Sequence, residues 1–231
     1  IVYSFRDEHG ATGSAQLTVR ARGTNDAPQA VDDVLVISAD QADIAYDGRD
    51  WLLLDVLAND LDPDRAGGAP DGERQALHVV EAEGEDLLGA LLPSGSMLGY
   101  SPGDAFVHLA EGEVAVETFR YTVGDLRGGF DEGRVELHVV GVNDGPVARA
   151  DAFAVGEDQA PRVLDVLGND LDPDLGDRIR IVALEAEGLT GKVSVALNGT
   201  SLLYDPAAFQ HLAAGEVAIE RFAYRIADSQ G

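Results

Sequence analysis

The stretch DVLANDLDPD (55–64) returns as DVLGNDLDPD (165–174), an offset of 110 residues. Working outward, GTNDAPQA (23–30) returns as GVNDGPVA (141–148) at an offset of 118, and LAEGEVAVETFRYTVGD (109–125) as LAAGEVAIERFAYRIAD (212–228) at 103. Self-similarity at this period means a tandem array. The shrinking offset locates the length differences. The first copy carries about eight extra residues within SADQADIAYDGRDW and about seven more around RAGGAPDGER. Both insertions are rich in Gly and Asp and lie between apolar runs, as loop insertions should.

These matches divide the chain into a unit at 25–142, a second at 143–231, and an opening piece at 1–24 that reads as the last strands of a preceding unit. In that piece VYSFRDEHG matches FRYTVGDLRGG, and SAQLTVRARG matches GRVELHVVGV. The second unit stops before its own version of that final strand, so the chain reads as a piece of something longer. The local pattern is strand throughout. FRYTV, FAYRI, RVELHVV and AQLTVRA alternate apolar with polar residues, and WLLLDVL and PRVLDVL are short β-rich runs. Only PAAFQHLA suggests a single helical turn. Roughly seven short strands per ~100 residues indicate antiparallel Ig-like sandwiches in tandem, an all-β fold.

The chain has 231 residues, with 16 Lys and Arg against 42 Asp and Glu, a net charge of −26. Such a charge repels nucleic acid and anionic membrane surfaces. No run approaches the length of a membrane span, which excludes insertion by a helix. There is no cysteine, so disulfides, thiolate metal sites and a Cys nucleophile are excluded. One reading of the acidity is solubility or a high-salt habitat; the other is that the acids neutralise bound cations.

Asp60, Asp62 and Asp64 form a D-x-D-x-D string that recurs as Asp170, Asp172 and Asp174. Ca2+ takes six to eight oxygen ligands at about 2.3–2.6 Å, and clustered carboxylates with backbone carbonyls supply them. EF-hand spacing is absent. The places for its Gly and Glu hold Arg65 and Asp71, or Leu175 and Ile181. The alternative for the string is a turn held by Asx hydrogen bonds. At the junctions, Asn25, Asp26 and Asp33, and in the next copy Asn143, Asp144 and Asp151, flank a proline that stiffens the linker. Further candidate ligands are Asp125 and Asp228, each closing a strand, and Glu157 early in the last unit. The expectation is one shared set, with the string completed by Asp33 or Asp151 and by Asp125 or Asp228.

The Asn-Asp-x-Pro junctions, VL-x-NDLDPD and F-x-Y-x-V-x-D together resemble the bacterial cadherin-like repeats found in tandem in giant RTX-type adhesins. The resemblance covers essentially the whole chain. It implies Ig-like sandwiches, type I secretion, an extracellular place on the bacterial surface, and Ca2+ at junctions and loops. The function it implies is a non-catalytic extender in which Ca2+ stiffens neighbouring repeats. Other cadherin-like domains bind polysaccharide or a surface protein directly in cell–cell or biofilm adhesion, and Tyr46 and Trp51 are the aromatic residues beside the first insertion. No H-E-x-x-H, G-x-S-x-G or phosphate loop is present to suggest an enzyme. The unmatched ends also suggest strand exchange between fragments.

Overall fold

In this computed structural model the described residues are 1–41, 44–46, 48–65 and 77–231. The second insertion past Arg65, including Asp71, and the side chain of Tyr46 lie outside them. The chain opens with a hairpin of β1 (Val2–Arg6) and β2 (Thr12–Gln16). Residues 25–142 then supply β3 (Asp33–Ser38), β4 (Ile44–Tyr46), β5 (Arg49–Leu54), β6 (His78–Glu83), β7 (Ala90–Ser94), β8 (Met97–Ser101), β9 (Val114–Gly124) and β10 (Phe130–Val140). Their two sheets have the orders β3-β10-β9-β6 and β4-β5-β8-β7. No α-helix occurs among the described residues, and none of their helices is long and apolar enough to cross a membrane.

The period-two pattern explains both sheets. Phe119, Tyr121 and Val123 of β9 and Val135, Leu137 and Val139 of β10 all point into one core, while Thr118 and Arg120 between them face solvent. Leu52 and Leu54 of β5 and Leu98 and Tyr100 of β8 close that core from the opposite sheet. β9 and β10 pair antiparallel over eleven residues each, from Phe130 opposite Gly124 to Val140 opposite Val114. Val135, Leu137 and Val139 are each 0% exposed. At about 1.5–3 kcal/mol per fully buried aliphatic side chain, β10 is a large contributor to this core.

One pairing departs from the antiparallel expectation. β3 runs parallel to β10, from Val135 opposite Asp33 to Val140 opposite Ser38. The chain enters the sheet at the start of β3 and leaves it at the end of β10, beside the end of β3. Entry and exit therefore lie at opposite ends, which is what stringing repeats head to tail requires. The exit is tight: a Cβ on Gly141 would sit 2.4 Å from the Leu109 carbonyl oxygen, so only glycine fits there.

Residues 143–231 repeat part of this plan. They hold β11 (Arg162–Leu164), β12 (Arg180–Glu185), β13 (Lys192–Val195), β14 (Leu202–Asp205) and β15 (Ala223–Ala227). The sheets are β11-β14-β13 and β12-β15, with one 3-10 turn over Ala207–Phe209 in the expected PAAFQHLA stretch. The core there has six buried residues, Leu164, Val166, Ile181, Leu202, Tyr204 and Phe209, against sixteen in the first core.

Candidate metal centre

The string and the linker are held together by two isolated bridges. Gln29 and Leu61 exchange main-chain hydrogen bonds of 2.7 and 3.0 Å, and Val147 and Leu171 exchange bonds of 2.7 and 3.1 Å. Each bridge pins the acidic string beside the Asn-Asp junction. In the first copy a 3-10 turn over Pro63–Arg65 follows, and the Asp64 N–H returns to Asp62 Oδ1 at 2.9 Å. The same bond, Asp174 N–H to Asp172 Oδ1, is 3.0 Å.

The strand-end aspartates share one local job. Asp7 Oδ1 accepts the N–H groups of His9 and Ala11, Asp125 Oδ1 those of Arg127 and Gly129, and Asp228 Oδ1 those of Gln230 and Gly231. In Asp125 and Asp228 the other oxygen is left for the junction. Asn25 Nδ2 donates to Asp125 Oδ2 at 2.7 Å, and Asn143 Nδ2 to Asp228 Oδ2 at 3.0 Å. One residue on, the Asp26 N–H donates to Asp64 Oδ2 and the Asp144 N–H to Asp174 Oδ2, both at 2.9 Å. Although burial works against it, the bonds from Asn25 and from the turn N–H groups hold the Asp125 carboxyl below the usual range. Asp228 is held low as well, first by Asn143 and then by the Gly231 N–H.

At the second junction Asp172, Asp174 and Asp177 offer oxygens that lie within 4.8 Å of one another. Asp172 Oδ2 and Asp174 Oδ1 are buried and have no hydrogen-bond partner. Burial first, and then the charges of Asp174, Asp177 and Asp228, push the Asp172 carboxyl up. Asp144 is raised by burial, then by Asp40, Asp174 and Asp172. Asp40 stands in the turn after β3, so both copies of the repeat contribute to this junction. A bond from the Leu175 N–H to the His108 carbonyl, 3.1 Å, crosses the same joint.

The expected single set divides into two. Asp60 turns away from the junction to a tyrosine: its carboxylate lies 3.0 Å from the Tyr121 hydroxyl and accepts the Val31 N–H at 2.8 Å, while the same hydroxyl is 2.9 Å from the Val56 carbonyl. Asp33 joins this group; burial, and then the charge of Asp60, push its carboxyl up to about 6, and its Oδ2 has no partner. The second copy matches. The Tyr224 hydroxyl contacts Asp151 at 2.7 Å, the Val166 carbonyl at 2.8 Å and Asp170 at 3.4 Å. The bridge at Leu61 or Leu171 is the physical cause, because it fixes the string with its first aspartate against the sheet and its last two against the linker. Glu157 joins neither group; its carbonyl accepts from Gln210 Nε2 at 2.6 Å, and its Oε2 is buried without a partner.

Sequence reading passed over Asp177, Asp40 and the two tyrosines. Asp177 had a signal, lying three residues past the string; Asp40 sits in an insertion with no counterpart, and Tyr121 and Tyr224 read as ordinary strand aromatics. Trp51 is 6% exposed and packs over Gly99, in the core rather than on a sugar-facing surface.

The sequence model of the bacterial Ig domain family matches residues 25–138 and 143–231. Among solved structures, the chain is similar to the human desmocollin-1 ectodomain, at 14% identity and a TM-score of 0.39, over 96% of this chain and 38% of that one. It is also similar to cadherin domains 3–6 of protocadherin gamma B2 (12% identity, TM-score 0.38, 98% and 54% of the two chains). A third likeness is to protocadherin gammaB7 domains 3–6 in a cis-dimer structure (12%, 0.40, 98% and 56%). The chain thus spans between 38% and 56% of the length of these proteins. No curated protein sequence matches it.

Proposed function

Because the chain belongs to the bacterial Ig domain family, we propose that it is a non-catalytic, calcium-binding extender from a surface adhesin of the RTX type, outside the bacterial cell. Its partners are then the neighbouring repeats, and its task is to hold an adhesive part at a distance. Units at 25–142 and 143–231, preceded by the end of another at 1–24, are the proposed divisions; the family match over 25–138 and 143–231 supports them.

The observation that carries this reading is the second junction. Asp172, Asp174 and Asp177 crowd within 4.8 Å, and two of their buried oxygens lack any partner. Two carboxylates that close repel by about 3 kcal/mol at an effective dielectric of about 20. An all-oxygen donor set with orphaned lone pairs fits a hard divalent cation. Asp172, Asp174, Asp177 and Asp228 would hold Ca2+, with Asn143 and Asp144 from the linker, and Asp40 of the preceding repeat would add its charge nearby. At the first junction Asn25, Asp26, Asp62, Asp64 and Asp125 take the matching parts. A bound cation turns the repulsion across the joint into attraction and fixes the angle between repeats. It also stabilises a chain that has no disulfide, by about 1.4 kcal/mol for each ion present at tenfold its Kd.

The test is thermal melting in EGTA and in millimolar Ca2+, with small-angle scattering on the same samples. Calcium raises the midpoint by several degrees and lengthens the particle. Equal midpoints and equal scattering in the two buffers overturn the proposal.

A further inference from the structure

The outer strands of the first repeat differ in how their edges are protected. β6 has a bulge between Val79 and Glu81 and turns Glu81 and Glu83 to solvent, and β7 carries Pro93. Bulges, charges and proline are what keep an edge from pairing with another chain. β3 has none of them between Val34 and Ser38 and runs in unbroken register. Among the described residues it pairs with β10 alone.

The outward face of β3 is apolar as well. Val34 and Val36 are 69% and 68% exposed, although the solvated face of such a sheet is ordinarily polar. Val116 of β9 continues the row, with His138 of β10 between it and Val36. In the second repeat Ala152 and Ala154 stand at the matching positions. The main chain is also set for a partner. The Ala39 N–H donates to the Val140 carbonyl at 2.8 Å. Main-chain groups alternate in direction along a strand, so Leu35 and Ile37 turn theirs to β10, and Val34 and Val36 turn theirs to the open edge.

We propose that β3 pairs antiparallel with β3 of a second copy of this chain about a twofold axis, joining their two sheets edge to edge. The register follows from hydrogen-bond direction and charge. With Leu35 opposite Leu35 of the second copy, Val34 of each chain lies opposite Val36 of the other. Each of these couples exchanges a pair of main-chain hydrogen bonds, and the valines of both chains form one cluster on the outer face. Asp32 then meets Ser38, and Asp40 meets Ala30. A slide of two residues one way sets Asp32 against Asp40, and the other way sets Asp32 against Val36. A slide of one residue turns the free main-chain groups away from each other. The occupant is a second copy because this strand meets all of these conditions against itself. Pairing over so short an edge buries less than the about 1,200 Å² of a standard complex, so the dimer is weak and fills only at high protein concentration. It uses no junction carboxylate and does not rest on the calcium reading.

The experiment is sedimentation velocity on the whole chain at physiological salt, from micromolar to near-millimolar concentration. The 24.3 kDa monomer passes to a dimer and stops there, because a twofold contact uses up its own edge. Val36→Lys alters an exposed side chain, so the melting midpoint stays the same while dimerisation weakens at least tenfold. The added lysine also offsets part of the net charge of −26, so relief of general charge repulsion would shift association the opposite way. Because the chain has no cysteine, the register is read by mixing Val34→Cys chains with Val36→Cys chains. On oxidation the mixture forms an interchain disulfide faster than either variant alone. A chain that stays monomeric throughout overturns the proposal. So does association that grows past the dimer, that survives Val36→Lys, or that cross-links the mixture no faster than the separate variants.

Discussion

Each repeat holds two groups of carboxylates that start from one six-residue string. Around Tyr121, Asp60 has a hydroxyl at 3.0 Å and the Val31 N–H at 2.8 Å, and only Asp33 Oδ2 lacks a partner. At the second junction, Asp172 and Asp174 each keep a buried oxygen without a partner, beside Asp177 and in the field of Asp228. The tyrosine group ties β9 to the string and linker within one repeat. The junction group gathers charge from two repeats and satisfies only part of it. Acidity in this chain therefore does two things, closing the sandwich and concentrating charge at the joint, and one sequence string is shared between them.

The double variant Asp172→Asn, Asp174→Asn tests the two roles against each other. In EGTA it melts at the same temperature or higher, because it removes like-charge repulsion. In Ca2+ it loses the stabilisation of that joint, about 1.4 kcal/mol for each ion no longer bound at tenfold its Kd. Calorimetric melting in both buffers reads the sign reversal. A loss of equal size in both buffers would assign these aspartates to the fold, with the same role as Asp60.

The pH dependence of the tyrosine group is the next test. The folded Asp33 carboxyl sits at about 6, above its ordinary 3.8, so the folded state binds more protons there than the unfolded one. Its contribution is fully present below pH 3.8 and is lost as the pH rises through 6, on the order of 2 kcal/mol. Asp125 and Asp228, held low, act in the opposite sense: their contribution is present above 3.8 and is lost as the pH falls. Urea denaturation of the metal-free chain between pH 4 and 7 shows the decline, and Asp33→Asn flattens it. Calcium leaves the Asp33 part of that slope in place. If calcium abolishes it, Asp33 belongs with the junction after all.

Tyr121→Phe comes next. It removes a hydroxyl from the Val56 carbonyl and from Asp60, which keeps only its main-chain donor. A cost of about 1 kcal/mol is expected, the same in EGTA and in Ca2+, with Tyr224→Phe behaving alike in the second repeat.

Much of the fold was legible. The alternation in FRYTV and RVELHVV became β9 and β10, and the turn in PAAFQHLA formed where the residues indicate. The parallel entry of β3 was not, because nothing local distinguishes a strand that pairs parallel from one that pairs antiparallel. The candidate site was legible as a list of residue types and not as a grouping. Asp60 and Tyr121 are 61 positions apart, and Asn25 and Asp125 are 100 apart; only the paired sheet brings either couple together. Residues 17–22 alternate as a strand should, yet only the main chain of Leu17 bonds to Ile1 and the segment lies in no strand, since alternation specifies a face and not a neighbour.

The smallest predicted effect asks how far the joint is shared between repeats. Asp40 is exposed and acts on Asp144 by charge alone, so Asp40→Asn weakens calcium binding at the second junction by roughly two- to fourfold, the scale of exposed ionic interactions. In EGTA the first repeat melts unchanged, because Asp40 is exposed in the turn after β3 and belongs to no core. The variant also relieves the repulsion on Asp144. Calcium titration by calorimetry, followed by scattering at saturating Ca2+, separates affinity from geometry: a shared joint binds more weakly yet reaches the same extended shape. Unchanged affinity means the second repeat closes its own site without Asp40, and the bond from the Leu175 N–H to the His108 carbonyl remains as a main-chain link to the preceding repeat. The angle between repeats would then depend on that bond together with the linker residues Asn143 and Asp144.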